Sequence, residues 1–205
     1  MAKGKVALFG GTFDPIHVGH TTVAASAAQF IGAEKVILVP AKCSPLKQFS
    51  PRVSDEDRLN MISLAIEKNE KFEVSDYELK KTMPSYTLET VRKFQADLGS
   101  DTQLYWLIGA DSVDELPLWY KILDLIDECN LSVMSRPGCD APDFSKFKNI
   151  WGSERIDKLQ KNVIPTPLVD ASSTEVRERL KNGLDVSDML DSAVADYIQK
   201  NKLYR

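Results

Sequence analysis

Hydrophobic and polar positions along this chain follow two periods. Short apolar runs, the pattern of strands buried on both faces, occupy Lys5–Gly10, Lys35–Pro40, Phe72–Ser75, Gln103–Ile108, Leu131–Met134 and Asn162–Ile164. Between them, apolar residues return every third or fourth position over Val18–Ile31, Ser54–Lys68, Thr87–Leu98 and Leu118–Asp127, the spacing of helices with one buried face. Strand and helix take turns through most of the chain. This predicts an α/β fold, a doubly wound and mainly parallel sheet with helices on both faces. Such sheets bind ligands beyond the carboxyl ends of their strands, so the residues that close each apolar run are the candidates for chemistry.

Two stretches break the pattern. Pro40–Arg52 carries three prolines, two serines and two lysines without periodicity, which predicts an exposed, mobile loop. Ser135–Trp151 is a second irregular region, with Pro137-Gly138 and Ala141-Pro142 as breakers. Beyond it, Ser172 with Glu175 three positions on reads as a capping box that opens a helix running to Asn182-Gly183, and Asp191–Leu203 reads as a final amphipathic helix.

Composition narrows the class. A chain of 205 residues with 43% hydrophobic content can bury one domain-sized core. A net charge of -4 argues against a broad nucleic-acid footprint, while leaving room for a local cationic pocket. Cys43, Cys129 and Cys139 are an odd number without Cys-x-x-Cys spacing, so neither a disulfide framework nor a structural zinc site is favoured and a cytoplasmic location is expected. The first apolar run is broken by Gly10, Gly11 and Asp14 too early for a secretory signal, and no run is long enough to span a membrane.

The first strand leads into Gly10-Gly11-Thr12-Phe13-Asp14-Pro15-Ile16-His17-Val18-Gly19-His20, which holds the chain's two histidines. A glycine pair lets the backbone turn close to a ligand, and the helix that follows offers unpaired N–H groups and its positive dipole end to an anion such as phosphate. His17 and His20 add imidazole donors within the first helical turn. The segment has neither the Gly-x-Gly-x-x-Gly of a dinucleotide fold nor the Gly-Lys-Ser/Thr of a Walker loop. At Ser172-Ser173-Thr174-Glu175-Val176-Arg177, hydroxyls and amides at a helix start stand one turn before an arginine, an arrangement suited to the distal phosphates of a triphosphate. In Leu107-Ile108-Gly109-Ala110-Asp111-Ser112, Gly109 permits close approach of a nucleoside and Asp111 can accept hydrogen bonds from ribose hydroxyls.

These segments resemble the nucleotidylyltransferase superfamily with a (His/Thr)-x-Gly-His motif, here His17-Val18-Gly19-His20. Within it, the stretch from Gly10 to His20 is similar to that of the bacterial nicotinate mononucleotide adenylyltransferases. The same resemblance covers Ser85-Tyr86-Thr87-Leu88-Glu89-Thr90, Leu116-Pro117-Leu118-Trp119 with Tyr120, Ser135-Arg136-Pro137-Gly138, and Ser172 to Arg177. Three positions depart from the family pattern: Ala171 stands for its isoleucine, Leu46 for the histidine before Lys47, and Lys81 for the arginine after Glu78.

The resemblance implies transfer of AMP from ATP to nicotinate mononucleotide, with release of pyrophosphate. It places ATP against Gly10, Gly11, Thr12, Phe13, His17, His20, Gly109, Asp111, Ser172, Ser173, Thr174 and Arg177, of which His17, His20 and Arg177 are the catalytic candidates. It places the mononucleotide against Thr12, Phe13, Lys47, Ser85, Tyr86, Thr87, Trp119, Tyr120 and Arg136, with the Thr87 amide directed at the ring carboxylate and Trp119 against the ring. Mg2+ is expected to arrive with ATP, since it prefers phosphate oxygens and water to a protein cage. The expectation is one domain over residues 1–205, in which a helical part over 172–205 completes the ATP site, with neither nucleic-acid nor membrane partners and with self-association left open. Alternatives are a nicotinamide or dual-specificity mononucleotide enzyme, a pantetheine-phosphate adenylyltransferase, and a nucleotide-binding regulator without catalysis.

Overall fold

The computed structural model describes residues 4–43, 50–82, 84–135 and 142–205. Six strands, β1 (Lys5–Gly11), β2 (Lys35–Pro40), β3 (Phe72–Val74), β4 (Gln103–Gly109), β5 (Asn130–Ser135) and β6 (Val163–Pro165), form one sheet in the order β3-β2-β1-β4-β5-β6. Every pairing is parallel, and β1 lies between β2 (Leu8 opposite Ile37) and β4 (Leu8 opposite Trp106). The chain winds from β1 to one edge, returns to β4 and winds to the other. The crevice between β1 and β4, where a doubly wound sheet binds ligands, therefore opens beside Gly10 and Gly109.

Helices cover both faces: α1 (Val18–Ile31), α2 (Asp55–Ile66), α3 (Thr87–Leu98), α4 (Ile122–Glu128), α5 (Lys148–Trp151), α6 (Ser153–Lys161), α7 (Ser173–Lys181) and α8 (Ser192–Lys200). Side chains alternate across β1, so Ala7 and Phe9 join one core with Ala24, Ala27, Met61, Ile62, Val176 and Ile198, while Val6 and Leu8 join a second with Leu88, Val91, Leu125, Leu131 and Leu159. Local chemistry sets the helix ends: the Ser54 hydroxyl accepts the Asp57 N–H, the Asp191 carboxylate accepts the Ala193 N–H, and Gly32 closes α1 with a left-handed φ of 72°. No helix among the described residues is long and apolar enough to cross a membrane.

Two regions differ from the sequence reading. The helix expected over Leu118–Asp127 forms but starts later, as α4 at Ile122, because a 3₁₀ segment, Ala110–Leu118, an extended Trp119 and a left-handed Lys121 precede it. Pro117 has no N–H to continue a ladder, so the chain opens there and presents Trp119 and Tyr120 on a corner. The irregular region before Trp151 instead contains a 3₁₀ turn, Ser145–Phe147, and α5, and the unassigned α6 follows. In α6 only Ile156 and Leu159 are buried among charged neighbours, too few to show a helical stripe.

Among the described residues, one charged side chain is fully enclosed. Arg58 on α2 sits where the helix's buried stripe would take an aliphatic residue, alongside Met61 and Ile62. Its Nη1 donates to the Thr12 carbonyl at 2.7 Å and its Nη2 to Asp55 Oδ1 at 2.6 Å. Asp55 also pairs with Lys42, and although burial pushes its carboxyl pKa up, the bonds from Lys42 and Arg58 leave it below the ordinary value. Truncation would remove the bonds to the Thr12 carbonyl and to Asp55 Oδ1. Because Asp55 is partly exposed, Arg58→Ala is expected to cost about 3 kcal/mol, the low end for breaking a buried pair. Urea unfolding measures it, and a loss below about 1 kcal/mol would show that the guanidinium contributes little net stability.

Candidate active site

The site grows from the end of β1. A Cβ on Gly10 would lie 2.3 Å from Cζ2 of Trp106, so only glycine lets β4's tryptophan close over the strand end. Phe13 adopts a left-handed φ of 48° and buries its ring edge-on against Phe9 (centroids 5.6 Å apart) and His20 (5.0 Å). A cis Asp14–Pro15 peptide bond follows, and His17 caps α1 in extended conformation.

The two imidazoles lie face to face, centroids 3.7 Å apart and planes 31° apart. Nδ1 of His20 accepts the backbone N–H of His17 at 3.3 Å. A ring that accepts at Nδ1 carries its proton on Nε2 when neutral, so His20 is set as a donor at its other nitrogen.

Carbonyl groups of this turn are taken by side chains from three directions. Arg58 holds Thr12 O, Arg177 Nη1 donates to Asp14 O at 2.7 Å, and the Ser173 hydroxyl donates to Pro15 O at 2.9 Å. The motif at Ser172 is thus docked against the motif at Gly10. Arg177 Nη2 also donates to the Thr174 hydroxyl at 3.1 Å, leaving the guanidinium at the junction of the two segments. The expected capping box is half formed: Ser172 Oγ accepts the Glu175 N–H at 3.1 Å, but the Glu175 carboxylate pairs with Arg179 at 2.7 Å instead of reaching back.

Two cavities meet at this point. The larger, about 590 Å³, is lined by every residue expected to hold ATP: Gly10 to Phe13, His17, His20, Gly109, Asp111, Ser172 to Thr174 and Arg177. The smaller, about 500 Å³, is lined by Thr12, Ser85, Tyr86, Thr87, Trp119 and Tyr120. Both share Phe9 to Thr12, Gly109 and Ser112. Phe13, expected in both sites, lines only the larger cavity because its ring turns into the core. Lys47 and Arg136 lie outside the described residues, as do positions 44–49 of the loop expected to be mobile.

The smaller cavity is walled by aromatics and donors. Tyr86 and Tyr120 stack with centroids 4.4 Å apart. The buried indole N–H of Trp119 has no partner among the described residues. Ser85 is no helix cap: its hydroxyl accepts the Lys42 N–H at 3.2 Å, which ties the segment before α3 to the segment after β2. The α3 cap position is Tyr86, without a side-chain bond, so the amides at this helix start have no side-chain cap where Tyr86 and Thr87 line the cavity. Glu78, whose sequence context marks only the departure at position 81, is buried in this wall. Burial raises its pKa, against hydrogen bonds from Thr90, at 2.6 Å, and Ser85 that lower it.

Comparison with known proteins agrees with this geometry. The model of the family described as cytidylyltransferase-like matches residues 8–179. A protein of Clostridium tetani named "Probable nicotinate-nucleotide adenylyltransferase" is 38% identical over 204 residues, 98% of this chain and 99% of its own. One of Dehalococcoides mccartyi with the same name is 37% identical over 206 residues, 100% of this chain and 98% of its own. In fold, the chain is similar to a Plasmodium falciparum nicotinic acid mononucleotide adenylyltransferase solved with NaAD, with a TM-score of 0.75, 19% identity, and coverage of 98% of this chain and 97% of that one. With sequence likeness running end to end and the two cavities lined as described, the chain belongs to the cytidylyltransferase-like family and, within it, to the nicotinate-nucleotide adenylyltransferases.

Proposed function

We propose that the protein transfers AMP from ATP to nicotinate mononucleotide, forming deamido-NAD and pyrophosphate in NAD biosynthesis, with ATP in the larger cavity and the mononucleotide in the smaller. The observation that carries this assignment is the shared wall from Gly10 to Thr12, which would bring the α-phosphate of one substrate against the phosphate of the other. A mononucleotide phosphate is already a nucleophile near neutral pH, so catalysis needs alignment and charge stabilisation without a general base. His17, His20 and Arg177 supply donors on the ATP side, where charge grows on the α-phosphoryl oxygens and the departing pyrophosphate. Asp111 lines the same cavity beside Gly109 and suits a ribose. Mg2+ enters as part of the nucleotide substrate, held by phosphate oxygens and water. Among the described residues there is no cluster of three His, Cys, Asp or Glu side chains that could hold a metal.

In this reading the chain works as a single domain in which α7 and the residues after it complete the ATP side, supported by the bonds from Ser173 and Arg177 to the turn. The smaller cavity takes the pyridine. Amides at the start of α3 and the Trp119 N–H, unpartnered among the described residues, are donors; of the two carboxylates in this wall, Glu78 already receives Thr90 and Ser85, and Glu115 is the other. The donors suit a ring carboxylate, whereas a carboxamide also needs an acceptor. Lys47 and Arg136 are assigned to the mononucleotide by family likeness alone. A cytoplasmic location fits reduced cysteines and an NAD-forming role.

Three measurements test these assignments. His20→Ala is expected to keep the fold and lower turnover by about two to three orders of magnitude, the scale of losing one preorganised donor, with His17→Ala similar. Wild-type turnover in either folded variant at saturating substrates would remove that histidine from catalysis. Arg177→Ala is expected to raise KM for ATP more than for the mononucleotide, and the reverse order would place Arg177 elsewhere. Nicotinate mononucleotide should exceed nicotinamide mononucleotide by at least about tenfold in kcat/KM, about 1.4 kcal/mol of transition-state binding. Equal rates at fixed ATP would point to a dual-specificity enzyme.

A further inference from the structure

Asp14 lies inside the turn between β1 and α1, only 6% exposed, and its two carboxylate oxygens take separate donors. Oδ2 accepts the backbone N–H of Arg52 at 2.8 Å, in the segment Ser50–Arg52 that lines the larger cavity. Oδ1 accepts the hydroxyl of Tyr204 at 2.8 Å, from a residue 190 positions further along the chain. The carbonyl of the same Asp14 takes Arg177. One residue is therefore gripped through side chain and backbone by three distant segments, three positions before His17.

Tyr204 is held in turn. It sits in the left-handed region at φ 61° and packs its ring against the core shared by α1, α2 and α8. The preceding helix is fastened to α2, where the Tyr197 hydroxyl donates to Asp57 at 3.0 Å and accepts from Asn60 at 3.0 Å. Since α2 also carries Arg58, the chain after α7 reaches the turn by two routes: through α2 to Thr12, and directly from Tyr204 to Asp14.

We propose that Tyr204 is a positioning residue for adenylyl transfer, its hydroxyl holding the Asp14 carboxylate and thereby the turn that faces the ATP phosphates. This rests on the larger cavity being the ATP site. Asp14 itself lines the larger cavity and not the smaller, so the greater effect falls on ATP. Loss of the hydroxyl leaves the Asp14 carboxylate with the Arg52 N–H alone and loosens the turn at that point, while its backbone bonds to Arg58, Arg177 and Ser173 remain.

The test is Tyr204→Phe, which keeps the ring. The expected result is a fall of about tenfold in kcat/KM for ATP, with KM for the mononucleotide moved by less than about twofold. Amide hydrogen exchange of the full-length variant should be faster over residues 9–17 and unchanged over Ser192–Lys200. In an Asp14→Asn background the same substitution should add less than about a twofold loss, because the two residues act as one unit. Wild-type exchange over 9–17 in Tyr204→Phe overturns the proposal whatever the substrates are. So does an equal loss for both substrates with faster exchange in α8, which would mark Tyr204 as an anchor of the helix. Wild-type protein that forms no pyrophosphate from ATP and nicotinate mononucleotide would instead sink the assigned activity, and the exchange comparison would still decide the role of Tyr204.

Discussion

Everything around the crevice depends on how the turn from Thr12 to Pro15 is held. A turn that must stand open to a ligand on one side cannot join a ladder, yet its buried polar groups still need partners. Here they come from side chains: Arg58 for Thr12 O, Arg177 for Asp14 O and Ser173 for Pro15 O. Two of these three bonds carry a guanidinium charge and are roughly twice as strong as neutral ones. Full enclosure of Arg58 would be costly without Asp55 and Thr12 to receive it, and Asp55 is steadied by Lys42 from the end of β2. The turn is thus built into the core instead of resting on it.

Rigidity of that kind suits the chemistry assigned to the site. Phosphoryl transfer to a nucleophile that is already ionised gains from alignment and from donors fixed before the reaction begins. The bond from the His17 amide to His20 fixes which nitrogen of His20 can donate. His17 and His20 pack ring against ring, and the Phe13 ring meets His20 edge-on, so the three rings form one packed group. Gly19 belongs to the same arrangement, because a Cβ there would meet the His17 ring at 2.9 Å.

The sheet topology explains why one turn can serve two substrates. Winding reverses between β1 and β4, so the ends of both strands are uncovered by any crossover, and a cavity opens on each side of Gly10. One cavity is finished by α7 and the residues near Arg52, the other by the start of α3 and the corner at Trp119. The first wall is rich in hydroxyls and cations, the second in aromatic rings and backbone donors, which matches a triphosphate on one side and a pyridine on the other.

Much of this was legible along the chain because it is local. Apolar periodicity marks β1, α1, β2, α2, α3 and β4 within a residue or two, and the glycines, histidines and serines of the crevice fall where those elements end. Every residue expected at ATP lines one cavity, since a doubly wound order forces strand ends together. Periodicity failed where few apolar residues carry an element, as in α6, and at the start of α4, which the corner after Pro117 delays to Ile122. One trace of Arg58's role was visible, a charged residue on an apolar stripe, but its partner 46 positions away was not. The grips of Arg177 and Tyr204 on Asp14 span 163 and 190 positions, and no local pattern encodes which helix packs beside which turn. Sequence by itself determined the elements and the chemistry offered at their ends; only the tertiary structure decided which side chains hold the turn, because burial and hydrogen-bond satisfaction are properties of the packed whole.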